Sequence, residues 1–460
     1  MRTRTEGRVA ARYRWDRLKV SFWFTSAIMA LAAVLLAWFM YWLDGRIPNE
    51  ALQSSRFVLA GTANEMRSVL LSFAGTVLAT AGVVFTLLTL PLSTVAAQYG
   101  SRLLRLFLGD RTAQIVLGMF VATFVYCMAA ALSIPPAAVE RQAPQLTATV
   151  GLYLMLATFA TLILLVQHVS TMLQAPNIAA AAGADLLEVV RAEIAQDGTH
   201  NADGMSGLES LLGAEDIPQA KAEPEGYSVR VIDTGYIQYI DPAAILALAR
   251  EKNLVVRLLH QPGHFVRAGA VVTRVWPAGQ VDKQIAKLIR RAYQIGNVRT
   301  PTQDIEYAVN QLTEMAVRAM SPAINDPFTA MTCLDHVGAG LVEFVRSGDK
   351  GSQYFDADGR LCLVLEPVTF AALLSAAFDM LRHASCDNPS VLLHMLEVID
   401  VIGQETQAPE ARRQLLCHVS LILTESQAGA LIEQDRQLIA QRGAALSIKL
   451  ETTPSIALEQ

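Results

Sequence analysis

Hydrophobic and polar positions divide this chain at about residue 185. Before that point, residues 20–43, 68–101, 112–139 and 142–184 contain no Asp, Glu, Lys or Arg. Each run exceeds the roughly 20 apolar residues that carry a helix across a bilayer core of about 30 Å. A water-soluble protein would have to bury four such helices on every face. The pattern predicts an α-helical integral membrane domain over 20–175, with spans at about 20–43, 68–97, 113–134 and 147–173, behind a basic tail at 1–19.

Beyond the last run the pattern is that of soluble protein, and it predicts an α+β domain. An alanine-rich helix over 178–196 leads into a Gly-, Pro- and acid-containing linker that ends near residue 226. Strand-like alternation at 227–232, 235–240, 254–259 and 270–275, with a helix at 242–252, predicts a small β-rich module over 227–277. The turn Gln261-Pro262-Gly263-His264-Phe265-Val266 inside it, with Phe265 and Val266 expected to be buried, resembles connections in lipoyl- and biotinyl-like barrels. The lysine that those domains modify is missing there. The remainder, 278–446, reads as mostly helical, followed by a tail at 447–460. In it, 281–295 has helical periodicity, and Thr300-Pro301-Thr302-Gln303 reads as a capping box with Pro at the first helical position. Asp326 is placed to cap a helix over 327–345, a strand is expected at 361–365, and two or three helices follow.

The second span is unlike the others. Gly75, Ala79, Gly82, Thr86, Thr89, Ser93 and Ala97 recur every three or four residues, giving one helical face of small and hydroxyl side chains. Such a face lets helix backbones approach closely. Pro91 removes one backbone donor and is expected to bend or break the helix as a hinge near its end. An amphipathic segment with Arg102 and Arg105 follows. The face has two readings: it packs on a neighbouring helix of the same chain, or copies of it surround a symmetry axis and line a pore. The combination resembles the pore helix of small-conductance mechanosensitive channels.

Charge orients the spans. The tail carries Arg2, Arg4, Arg8, Arg12, Arg14, Arg17 and Lys19 against Glu6 and Asp16, and the loop after the second span is also basic. The positive-inside rule places both termini in the cytoplasm. The first apolar run, with no small-residue cleavage site, is expected to be a retained helix rather than a signal peptide. The net charge of −5 points to no nucleic-acid partner. The five cysteines lack CxxC spacing, so neither disulfide framework nor metal site is expected. His260 and His264 lie on strand and turn, a poor arrangement for a metal. Tyr126 and Cys127 in the third span, and His168 in the fourth, are the notable polar groups; His168 is either interfacial or a proton relay. The lack of a charge in mid-span argues against an ion-coupled transporter.

The chain resembles, over nearly its whole length, a widespread bacterial family of predicted membrane proteins known only as domain of unknown function 2254. The resemblance is carried by Gly82-Val83-Val84-Phe85, Ala97–Arg105, Asp110-Arg111 and Leu117–Phe120. It continues in Gly235–Gln238, Pro262–Val266, Arg299-Thr300, Gln303-Asp304 and Arg318–Pro327. The last stretch usually reads Ser-Pro-Gly-Ile-Asn-Asp-Pro in the family, where this chain has Ala323. The resemblance implies a topology and no activity.

Asp304, Arg318, Asn325 and Asp326 could together bind a polar ligand or do acid–base chemistry, yet each also suits a helix cap or turn. No P-loop, GxGxxG, HExxH or GxSxG motif appears, and no enzyme or cofactor is expected. The sequence therefore favours a homo-oligomeric channel for ions or small solutes, with Gly75, Ala79, Gly82, Thr86, Thr89 and Ser93 lining the pore. The alternative is a membrane-anchored sensor or scaffold whose soluble part binds a ligand or partner.

Overall fold

The computed structural model describes residues 22–47, 57–98, 111–134, 143–172, 174–200, 226–348, 353–356, 358–406 and 408–452. The basic tail, the segment with Arg102 and Arg105, most of the linker and the last residues lie outside these. Contacts divide the chain into two compact units, Met1–Ile178 and Ala179–Gln460.

The first unit contains α1 (Phe22–Asp44), α2 (Ala63–Gln98), α3 (Arg111–Ser133) and α4 (Gln145–Met172). All four include a stretch long and apolar enough to cross a membrane, as the charge-free runs predict. Helix α3 is the axle: Tyr126, Cys127, Ala130 and Ala131 are buried among residues of its neighbours. Small residues set the close approaches. Ala33 and Ala37 bury one face of α1, Gly118 of α3 leaves room for Met29, and Gly151 of α4 leaves room for Leu70 and Tyr126. The outward positions are large and apolar, including Leu35, Trp38 and Phe39 on α1 and Ile163 and Leu164 on α4, all exposed. A surface of that kind suits hydrocarbon and not water.

In the second unit, α5 (Ala175–His200) begins three residues after α4 ends. The sequence suggests a helix leading into a linker, but Ala182, Leu186 and Val190 are buried. It is a core element: Leu186 meets Gly340, Gly183 meets His336, and Arg191 pairs with Glu343 at 3.2 Å.

The β module comprises β1 (Tyr227–Arg230), β2 (Gly235–Ile240), α6 (Pro242–Lys252), β3 (Val255–Leu258), β4 (Phe265–Val266) and β5 (Val271–Trp276). It is not closed at residue 277. After α7 (Lys283–Arg291) comes β6 (Tyr293–Gly296), which joins a three-stranded sheet ordered β4-β2-β6. Far along the chain, β7 (Gln353–Phe355) and β8 (Leu361–Val364) complete a five-stranded sheet ordered β1-β5-β3-β8-β7, with β8 parallel to β3. The helix expected over 281–295 therefore ends at Arg291, and its last residues are strand. Val266 is buried as expected, but Phe265 is 55% exposed and lies edge-on to Tyr236.

Helices α8 (Ile305–Ala319), α9 (Pro327–Arg346), α10 (Phe370–Ala384), α11 (Pro389–Gln404), α12 (Pro409–Ala428) and α13 (Glu433–Glu451) form the rest. Four helices follow β8, more than the periodicity suggested. Each of α8 to α11 opens on a side-chain cap, from Asp304, Asp326, Thr369 and Asn388 in turn. The expected cap at Thr300 is wrong: α8 starts at Ile305, because Asp304 is the residue that accepts the Tyr307 N–H, at 2.9 Å.

Candidate functional site

The small face of α2 is open. Gly75, Ala79, Gly82, Thr86 and Thr89 are all exposed. Among the described residues no atom lies within 4 Å of the place where a Cβ would stand at Gly75 or Gly82. The face that packs inside the unit is a different one, made by Met66, Leu70, Ala74, Val77 and Val84. At 3.6 residues per turn these two faces lie roughly 150° apart. Among the described residues, then, the stripe from Gly75 to Thr89 does not pack on a neighbouring helix of the same chain. The hydroxyls need no outside partner, since Thr86 donates to the Gly82 carbonyl at 3.1 Å and Thr89 to that of Thr86 at 3.2 Å.

Helix α2 runs unbroken through Pro91 to Gln98, so the expected break is absent. Loss of one backbone donor leaves the turns on either side of the proline helical. The side-chain surroundings of Pro91 and Ser93 lie outside the described residues.

The bundle also contains polar contacts that the sequence did not single out. Asp44 is buried at the end of α1 and caps α4. Its carboxylate accepts the Leu146 N–H at 2.9 Å, the Thr147 N–H at 2.8 Å and the Thr147 hydroxyl at 2.5 Å. Tyr126 donates to the Thr147 carbonyl at 2.9 Å, and Thr123 and Thr158 share a buried hydrogen bond of 2.8 Å. His168 is half-buried near the end of α4.

In the second unit, four of the quoted motifs converge. Gly235 and Tyr236 pair with Val266 and Phe265, the Gly263 N–H donates to the Ile237 carbonyl at 2.7 Å, and the Ile237 N–H donates to the His264 carbonyl at 2.9 Å. Residues 298–304 arch over β2. The Gln303 amide accepts the Ile240 N–H at 2.8 Å and donates to the Ile240 carbonyl at 3.0 Å, and Gln238 donates to the Val298 carbonyl at 2.7 Å. Arg299 closes the arch on Asp304 with two parallel bonds of 2.8 Å. Gly263, at φ +93°, fits against that ion pair, and a Cβ there would overlap the Asp304 carboxylate. With its cap and its arginine, Asp304 is fully engaged. This is a clasp, not a reactive site.

The structure consequently separates the cluster proposed from sequence. Asp304 and Arg318 stand at opposite ends of α8, about 20 Å apart at 1.5 Å per residue. Arg318 pairs with Glu314 at 3.1 Å. Asn325 is exposed with φ +48°, a turn conformation that Asn tolerates. Asp326 caps α9, accepting the Thr329 N–H at 3.1 Å and its hydroxyl at 2.5 Å. The four residues do not form one site.

A cleft that sequence reasoning missed borders the clasp. It is lined by Glu193 of α5, by Ile240, Leu258, His260, Gln303 and Tyr354, and by Leu365 and Glu366 after β8. Six separate segments contribute, so no local motif marks it. The cleft is rigidly walled, since the Gln261 amide donates to the carbonyls of Glu366 at 2.8 Å and Pro367 at 3.0 Å. Burial, and next the neighbouring His264, hold the His260 pKa below its ordinary value. The rings of His260 and His264 stand 5.8 Å apart between centroids. Among the described residues no group of three or more His, Cys, Asp or Glu could hold a metal ion. The cysteines are unpaired.

The family model for predicted membrane proteins of domain of unknown function 2254 matches residues 19–400. This chain belongs to that family. Similar relatives are uncharacterized proteins of Mycobacterium bovis and Mycobacterium tuberculosis, each 26% identical over 410 residues, covering 87% of this chain and 76% of the relative. No solved structure matches. The match includes α1 to α4 and extends through the β module, the clasp and the cleft, so family membership unites both units and names no chemistry for either.

Proposed function

We propose that this protein is the subunit of a homo-oligomeric channel for ions or small solutes in a bacterial inner membrane, with both termini cytoplasmic. Copies of α2 surround the axis and present Gly75, Ala79, Gly82, Thr86, Thr89 and Ser93 to the pore. The observation that carries this reading is the direction of the stripe: from Gly75 to Thr89 it lies opposite the intrachain packing face and stands open among the described residues. Hydroxyls satisfied on their own helix make a wall that is polar enough to wet and too weakly binding to trap a permeant species. In this reading the C-terminal unit gates the pore.

Electrical recording from purified protein in liposomes tests this, with membrane tension and salt gradients varied. Discrete conductance steps absent from empty liposomes are expected, and reversal potentials then name the permeant ion. Silence from protein shown to be inserted and oligomeric rejects it. The second reading, a membrane-anchored sensor or scaffold, is favoured by the solvent-open cleft in a unit compact by itself. It requires ligand binding without conductance.

A further inference from the structure

The open side of α2 is wider and more polar than the small-residue stripe alone. Ser72 and Thr76 are exposed beside Gly75 and Ala79, and both lie within about 60° of Ala79 around the helix axis. Val83, also exposed, is the apolar member of that side. Ser72 donates to the Ser68 carbonyl at 3.0 Å and Thr76 to that of Ser72 at 2.9 Å, as Thr86 and Thr89 donate further along. A hydroxyl has one proton to give and two lone pairs to offer. With each proton committed to the helix backbone, what these four side chains leave for a neighbour is acceptor oxygen. Oxygen acceptors solvate a cation, and these hydroxyls have no proton to spare for an anion.

Charge points the same way. Glu65 and Arg67 are the charged residues of α2. Glu65 is exposed and stands about two turns before Ser72, within roughly 20° of it around the axis. Arg67 lies roughly 160° around from Glu65, and its Nε is buried. Glu65 closes a capping box with Thr62: its carboxylate accepts the Thr62 N–H at 2.8 Å, and its own N–H donates to the Thr62 hydroxyl at 3.4 Å. Neither bond brings a countercharge to the carboxylate.

We infer that the pathway conducts cations, with a ring of Glu65 carboxylates, one per subunit, at the mouth away from the cytoplasm, and with the acceptor oxygens of Ser72, Thr76, Thr86 and Thr89 along the wall. The inference rests on the channel reading and names the charge of what passes.

The test is reversal-potential recording from the full-length protein in liposomes under a KCl gradient. K⁺ should permeate at least about fivefold more readily than Cl⁻. Glu65→Gln removes the charge and keeps the capping box, which Gln closes as Glu does. It should lower that ratio at least about twofold with the unfolding temperature unchanged, and Glu65→Lys should lower it further. The contribution of Glu65 should also fade as salt rises from about 0.1 M to 1 M and the screening length falls from about 10 Å to 3 Å, a response that a merely structural role would not give. Discrete steps without K⁺ preference overturn this inference and leave the channel standing. Silence from wild type shown to be inserted and oligomeric overturns both. A ratio unchanged in Glu65→Gln and Glu65→Lys alike overturns the carboxylate ring. Should the variants fail to fold, the wild-type ratio and its salt dependence still decide.

Discussion

The Arg299–Asp304 clasp is built from residues that carry the family resemblance, as is Gly82 on the open face of α2, and the two regions end in opposite states. In the clasp every strong group has found its partner within the chain: Asp304 accepts from Arg299 twice and from the Tyr307 backbone, and Gly263 leaves no gap above them. On α2 the side chains have been kept small, and among the described residues none comes within 4 Å of the Cβ positions at Gly75 and Gly82. A distinctive residue that is closed off serves the fold. One left open, on a helix whose other face already packs, is available to something outside the subunit. The contrast separates structural motifs from functional candidates without any appeal to a named activity.

The largest effect is expected at the clasp. Asp304→Ala leaves the partly buried Arg299 with the more distant Glu306, at 3.9 Å, and removes the α8 cap, so the C-terminal unit should lose about 3 kcal/mol, measured by urea unfolding. A loss below about 1 kcal/mol would mean that the clasp does not hold the arch. Asp44→Ala comes next. It removes three hydrogen bonds at the start of α4 and should cost about 2 kcal/mol, read as a lower midpoint of thermal unfolding in detergent. Gly75→Ala belongs at the other extreme. With open space where its Cβ would stand and a better helix former in place, it should change monomer stability by less than about 1 kcal/mol, in the stabilising direction.

A pH series sharpens the contrast further within the closed region. His418 is buried between α10 and α12, beside Phe378. Burial first, and Arg382 in addition, lower its pKa from 6.5, while Asp379 opposes them. Its folded pKa lies below the unfolded one, so below about pH 6.5 the unfolded chain binds the extra proton and stability falls as pH drops. His260 has the same sign. Replacing His418 with Phe should flatten the stability profile between pH 7.5 and 5; an equally steep profile would place the acid sensitivity elsewhere.

Much of the first unit was legible because a bilayer requires long charge-free runs, and a helical period shows which residues share a face. Direction was not legible: the stripe on α2 could be recognised, but whether it met a neighbour depended on Leu70, Val77 and Val84 taking the opposite side. In the second unit, local signals lost to distant partners. Thr300-Pro301 looks like a helix start, yet Gln303 is held by Ile240 and Arg299 by Asp304, which delays α8 to Ile305. Strand β6 hides behind the periodicity of α7, since no turn residue separates Arg291 from Tyr293. Asp44 and the cleft depend on residues a hundred or more positions apart, beyond the reach of any spacing rule.

A pore role for the α2 face is tested most directly by a paired measurement. Gly82→Trp places a large ring on the open stripe, and Phe85→Trp places it on the neighbouring exposed flank of the same helix. Both proteins are recorded in liposomes beside the wild type, at matched insertion and oligomeric state. The account predicts discrete steps for wild type and Phe85→Trp and a loss of at least tenfold in unitary conductance for Gly82→Trp. Conductance that survives unchanged with tryptophan at Gly82, or is abolished equally at both positions, would contradict it.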